Sequence, residues 1–258
     1  MPADSVNYDQ IAPTYHQRYS FNRLDGIAAA LRSLAQAYSA ERVLEVGCGT
    51  GRWLGELRPV ARHVFGLDLS PGMLRQARRR DARLAVTCGQ AIRLPFPAAA
   101  FDLVFCVNAF HHFPEPRAFI AETRRLLRPG GALAILGMEP RASREWYLYE
   151  YFEGAYETDL RRFPSTGMIM EWMRAAGFER AEWRVAEHIA QQLTGREVLA
   201  DHFLQKHSTS QLVLLTDEAY AAGLARIEAA LAAAEAEANL LIFPVDISMT
   251  MVTGCVIE

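Results

Sequence analysis

Apolar and polar positions along this chain follow two periods that alternate. Nearly continuous apolar runs at Val43–Val46, Val64–Leu69, Leu84–Thr87, Phe101–Val107 and Ala132–Leu136 read as buried strands. Between them, apolar residues recur at helical spacing: Leu24, Ile27, Ala28, Leu31, Leu34 and Ala35; then Trp53, Leu54 and Leu57; then Phe119, Ile120, Thr123, Leu126 and Leu127. Ser70 followed by Pro71 is an N-cap with proline at the first helical position, so another helix starts there. Strand alternating with helix predicts an α/β fold with a parallel, doubly wound sheet. Beyond Gly137 the rhythm changes. Residues 141–162 are dense in aromatics at helical spacing, but on more than one face. A helix is expected over Ser165–Ala176, a strand over 178–187, helix again within 190–241, and a strongly alternating last strand over 243–257.

The run at Val43–Val46 leads into Gly47, Gly49 and Gly51, a tight strand-to-helix turn whose backbone approaches a ligand closely. A dinucleotide fingerprint needs its third glycine at position 52, where this chain has Arg52. That argues against a nicotinamide-dependent reductase. Glu45 precedes the turn; a carboxylate there is a poor neighbour for pyrophosphate and a good one for an ammonium or sulfonium. Asp68, near the end of the second run, sits where an acid commonly accepts hydrogen bonds from ribose hydroxyls. The implied ligand has a ribose and a cationic end but no phosphate, a description that S-adenosylmethionine fits.

Composition narrows the class. The chain has 258 residues, half of them apolar, enough for one large α/β domain with a substantial cap. Its formal charge of −3 leaves no electrostatic footprint for nucleic acid. The arginines at 75, 78, 79, 80 and 83 read as a solvated helix face. The polar N-terminus shows no signal peptide, and no apolar run approaches the ~20 residues of a membrane span. Cys48, Cys88, Cys106 and Cys255 lack metal spacing, so no metal site is expected; they read as reduced thiols in a cytoplasmic protein.

The blocks VLEVGCGTGRW, GLDLSPGML, CGQAIRLPFPAAAFDLVFCVNAFHHF and RRLLRPGGALAIL, spanning roughly residues 40–137, resemble the class I S-adenosylmethionine-dependent methyltransferases of the ubiquinone/menaquinone biosynthesis group. The resemblance implies a mostly parallel, seven-stranded Rossmann-like sheet, with the last strand antiparallel between the fifth and sixth. It implies one domain over 1–258: N-terminal lid and helices over 1–40, a cofactor-binding core over 41–140, and helical insertions over 141–176 and 190–241 that cap the acceptor site. Cofactor contacts are implied for Glu45, Gly47, Cys48, Gly49, Thr50, Gly51, Asp68, Leu69 and Asn108. Tyr15 and Arg18 would lie near the methionyl end, and Met73 near adenine. Gln90 stands where the family often has an aspartate for the adenine amino group; its amide oxygen still accepts, and Ala91 offers a backbone N–H.

His111 and His112 lie just past the fourth strand, where the topology places chemistry; either is a candidate general base. The expected reaction is in-line methyl transfer to a small-molecule acceptor, with no nucleic acid or membrane span involved. Two other readings stay open: a methyltransferase acting on nucleic acid or protein, and a non-catalytic cofactor-binding or assembly protein. The aromatic segment reads as a helix buried between sheet and cap, as a dimer surface of a possible homodimer, or as an acceptor-pocket wall.

Overall fold

A computed structural model describes residues 7–13, 15 and 23–257. In chain order the elements are α1 (Tyr8–Ile11), α2 (Asp25–Ala37), β1 (Arg42–Val46), α3 (Arg52–Leu57), β2 (His63–Asp68), α4 (Pro71–Arg80), β3 (Ala85–Cys88), β4 (Phe101–Val107), α5 (Pro116–Leu126) and β5 (Leu127–Met138). They continue with α6 (Tyr147–Tyr151), α7 (Ala155–Arg162), α8 (Thr166–Ala175), β6 (Glu179–Thr194), α9 (Ser210–Val213), α10 (Asp217–Ala236) and β7 (Ile242–Cys255). The strands form one seven-stranded sheet in the order β3-β2-β1-β4-β5-β7-β6. Pairings β1–β2, β1–β4, β2–β3 and β4–β5 are parallel. β7 runs antiparallel to β5, from Ala132 opposite Cys255 to Met138 opposite Met249. This is the doubly wound sheet the sequence predicts, with the expected insertion of the last strand.

The chain forms two compact units. One comprises Asn7–Met138, Pro164–Glu187 and Met249–Glu258; the other comprises Glu139–Phe163 and His188–Ser248. In the first, Leu44, Val104 and Leu133 of adjacent strands are fully buried and share a core with Phe119, Ile120 and Leu126 of α5. The helical stripe of α5 therefore covers the sheet as its spacing requires. Ser70 caps α4 as expected, its hydroxyl accepting from the Met73 N–H at 3.1 Å.

The aromatic segment builds the core of the second unit. The expected single helix is broken between α6 and α7, where Gly154 takes φ +76°, in the left-handed region. Trp146, Tyr147 and Phe152 are buried. Tyr147 packs edge-on to Phe243 at 5.9 Å, and Phe152 stacks on Tyr220 at 5.9 Å. Asp159, wholly buried, accepts from the Tyr149 hydroxyl (2.8 Å), the Gln211 amide and Arg162 (3.2 Å). Burial is the first cause holding its carboxyl above the ordinary range.

One boundary differs from the sequence reading. The sixth strand runs on to Thr194, replacing the helix expected from residue 190. Ile189 and Leu193 are half-buried, and their spacing of four suits a helix turn and one face of a strand equally. Lateral pairing decides between them. No helix of the described residues is long and apolar enough to cross a membrane.

Candidate functional site

The site is built at the carboxyl ends of β1, β2 and β4, all within the first unit. The glycine turn is tied to the neighbouring strand: the N–H groups of Gly47 and Cys48 both donate to the Leu67 carbonyl, at 2.7 and 3.0 Å. Gly47 has φ +77°, and a Cβ there would lie 2.5 Å from the Ala109 Cβ. The turn thus presses directly on the loop that follows β4. Gly49 has φ +50°, and no atom lies within 4 Å of where its Cβ would be. Its N–H donates to Asp68 Oδ2 at 2.7 Å, and the Ser70 N–H donates to Asp68 Oδ1 at 2.8 Å.

Backbone donors of the glycine turn and of the Leu69–Ser70 step therefore fix the Asp68 carboxylate. Burial raises the Asp68 pKa against the pull of the Ser70, Gly49 and Leu69 backbone hydrogen bonds, and the charge of Asp9 adds to the rise. Glu45 is 1 % exposed. Burial first, then repulsion from Asp68, pushes its carboxyl well above the usual range; a bond from the Leu54 backbone N–H opposes this. Its Oε2 has no hydrogen-bond partner. A buried polar atom left without a hydrogen bond costs about 1–3 kcal/mol, so a donor placed against Glu45 Oε2 would be favourable.

The other predicted residues distribute as follows. Leu69 is 67 % exposed at the end of β2, whereas Met73 is buried at 1 %. Cys48, Thr50 and Gly51 are buried, Gln90 is exposed, and Ala91 is half-buried. Gln90 pairs with Arg93 in an isolated bridge. Asn108 takes φ +51°, a conformation asparagine tolerates; its N–H donates to the Leu136 carbonyl at 2.9 Å. Arg18 lies outside the described residues. Arg52 heads α3 with its guanidinium 4.4 Å from the Trp53 ring centroid.

His111 and His112 form a 3-10 turn with Phe110 directly after Asn108 and Ala109, their rings 3.9 Å apart. The Tyr8 hydroxyl lies 2.6 Å from His112 Nε2. Tyr15 packs edge-on to Tyr8 at 6.1 Å. Asp9, the next residue of α1, accepts from the Ser70 hydroxyl at 2.8 Å and from the Gly72 N–H at 2.6 Å. These two bonds are the leading causes holding the Asp9 carboxyl below its ordinary range. Gly72 gives that approach its space, since a Cβ there would lie 2.6 Å from Asp9 Oδ1. A single short helix thus bridges the start of α4 and the histidine turn. The sequence predicts a lid over this segment but not the anchoring contacts of Tyr8 and Asp9. The adjacent Tyr–Asp pair is the signal that was there to find, but its partners lie 61 and 104 residues away.

Comparison with known proteins points the same way. Residues 44–135 match a methyltransferase domain family. The chain is 33% identical over 199 residues to a demethylmenaquinone methyltransferase of Deinococcus radiodurans, covering 66% of this chain and 83% of that protein. It is 31% identical over 137 residues to a malonyl-[acyl-carrier protein] O-methyltransferase of Serratia marcescens, covering 50% of this chain and 53% of that one. In structure it is similar to phosphoethanolamine N-methyltransferase 2 of Haemonchus contortus, crystallised with S-adenosyl-L-methionine. The TM-score is 0.61 and the identity 16%, covering 98% of this chain and 60% of that one; this likeness is one of fold.

Proposed function

We propose, for a chain that belongs to the class I S-adenosylmethionine-dependent methyltransferases, that the site methylates a small-molecule acceptor with Tyr8 and His112 handling the acceptor's proton. The cofactor is S-adenosylmethionine, whose sulfonium supplies a methyl group already electrophilic when bound. This chain's residues then have to bind, align and keep water out; effective molarities for well-oriented groups reach about 10⁵–10⁸ M.

The observation that carries the reading is the Asp68 carboxylate, fixed by the Gly49 and Ser70 N–H groups beside the open space at Gly49. It suits two vicinal hydroxyls. Glu45 Oε2, buried and unpartnered, is assigned the ammonium of the amino-acid end. A cation there restores the carboxylate charge that burial suppresses. Exposed Leu69 offers an apolar face to the adenine. The backbone N–H of Ala91 supplies a further polar contact, and Tyr15 and Asn108 border the methionyl end.

At the acceptor, when a hydroxyl or acidic carbon is methylated, the Tyr8 oxygen takes its proton as the Tyr8 hydroxyl proton passes to His112 Nε2, 2.6 Å away. His111, its ring tilted 47° against that of His112, shapes the acceptor side. The named relatives act on unlike acceptors, so the glycine turn is assigned to the cofactor and the histidine turn to the acceptor. The test is release of S-adenosylhomocysteine across a panel of quinols, phenols, amines and carboxylates. Tyr8→Phe and His112→Ala should each lower kcat at least tenfold while leaving cofactor affinity within threefold. Strong retention of the protein on heparin together with turnover on nucleic acid or on protein, and none on the panel, would overturn the small-molecule reading.

A further inference from the structure

The sheet ends on β6, which has β7 as its one neighbour in strand order. The outer rim of such a strand presents unpaired backbone groups and is normally blunted. Here Glu182, Trp183, Arg184 and Val185 are all exposed. Trp183 is 50 % and Val185 48 % exposed; two residues apart, they share one face of the strand. The open stretch is bounded at both ends. Arg174 donates to the Ala181 carbonyl at 3.3 Å, and Glu187 caps the Gly26 and Ile27 N–H groups at the start of α2. Glu182 and Arg184 form no ion pair with another of the described residues.

The charge pattern of this stretch selects its partner. Pairing two copies antiparallel about Trp183 sets Trp183 against Trp183, Ala181 against Val185, and Glu182 against Arg184 on both sides of the axis. Opposite charges and aromatic pairs directly across strands are favourable, and like charges are not. Shifting the axis to Glu182 sets Glu182 against Glu182 and Arg180 against Arg184. Shifting it to Arg184 sets Arg184 against Arg184 and Arg180 against His188. Parallel, in-register pairing sets every charge against itself. Centring on Ala181 also sets Glu182 against Arg180 twice, but it leaves Trp183 against Glu179 and puts the carbonyl held by Arg174 on the axis. The Trp183 register carries one like-charged pair, Glu179 against Glu187, at its ends, where the Glu187 carboxylate is engaged by the start of α2; its aromatic pair and two central ion pairs favour it over these shifts. The aromatic segment at 146–152, the other candidate surface for self-association, has Trp146, Tyr147 and Phe152 committed to the core of its own unit.

We propose that this chain forms a homodimer by antiparallel pairing of β6 with β6 of a second copy, centred on Trp183. The proposal rests on the fold and not on the methyl acceptor. The test is sedimentation equilibrium of the full chain between 1 and about 100 μM, with circular dichroism as the check on folding. Wild type should show twice the chain mass. E182R should weaken association at least tenfold by placing like charges opposite one another twice, and E182R/R184E should restore it. Trp183→Ser should weaken association without changing the melting temperature by more than about 2 °C. A wild type that stays monomeric at the highest concentration overturns the proposal. So does a dimer indifferent to E182R and Trp183→Ser, which would place the interface elsewhere. Failure of the double reversal to restore association refutes the register.

Discussion

A methyl group added at Gly47 tests whether the glycine turn is wedged against the loop after β4. Gly47→Ala meets two separate penalties. Its φ of +77° lies in the left-handed region, which costs an L-residue about 1–2 kcal/mol. Its new Cβ would start 2.5 Å from the Ala109 Cβ, against an ordinary carbon contact of about 3.5–4.0 Å; overpacking of that kind costs about 1–3 kcal/mol. The sum is about 2–5 kcal/mol of destabilisation. Ala109→Gly removes the second penalty and leaves the first. On its own it should cost only about 0.5–1 kcal/mol, from the added freedom of the unfolded chain. Urea denaturation of wild type, both single variants and the double variant closes a cycle. The coupling should be 1–3 kcal/mol, with Gly47→Ala/Ala109→Gly more stable than the sum of its parts predicts. Additivity within about 0.5 kcal/mol would refute the contact and, with it, the shape of the site.

Two further perturbations read out buried charges. Glu45 has its folded pKa raised, chiefly by burial. Stability from its neutral form is therefore fully present below the ordinary carboxylate pKa and lost as pH rises through the raised one. Without cofactor, Glu45→Gln should melt with wild type near pH 4 and above it at pH 8, while binding S-adenosylmethionine more weakly; a melting difference independent of pH contradicts this. In the second unit, Asp159→Ala strands the buried Arg162 guanidinium, whose Nη2 already lacks a partner. It should cost about 3–5 kcal/mol. Asp159→Ala/Arg162→Met should recover part of that, and equal costs for the single and double variants would show that the pair is not coupled.

Much of the fold was legible because the strands of a parallel sheet, buried on both faces, carry near-continuous apolar runs such as Phe101–Val107. The geometry of the glycine turn was legible for a related reason. Gly47, Glu45 and Asp68 are fixed by local chain geometry within one strand-turn-helix unit and its neighbour. Two things were not legible. The helix–strand ambiguity at Ile189 and Leu193 is resolved only by pairing along the edge of the sheet, which no local period encodes. The Tyr8–His112 and Asp9–Ser70 contacts join residues distant in sequence, and the apolar stripe of a four-residue helix is too short to announce where it docks. Met73 shows the converse limit: a methionine one turn into a helix fits a ligand face and a core equally well by spacing, and the structure buries it.

Calorimetric titration with S-adenosylmethionine, wild type beside Asp68→Ala, tests the central claim most directly. Removing the carboxylate deletes charge-assisted hydrogen bonds to the ribose of about 1.5–3 kcal/mol each. The account predicts that wild type binds and that the variant, with its melting curve intact, binds more than tenfold more weakly. Equal affinity in the two proteins, or no heat and no competition by S-adenosylhomocysteine in wild type, would contradict it.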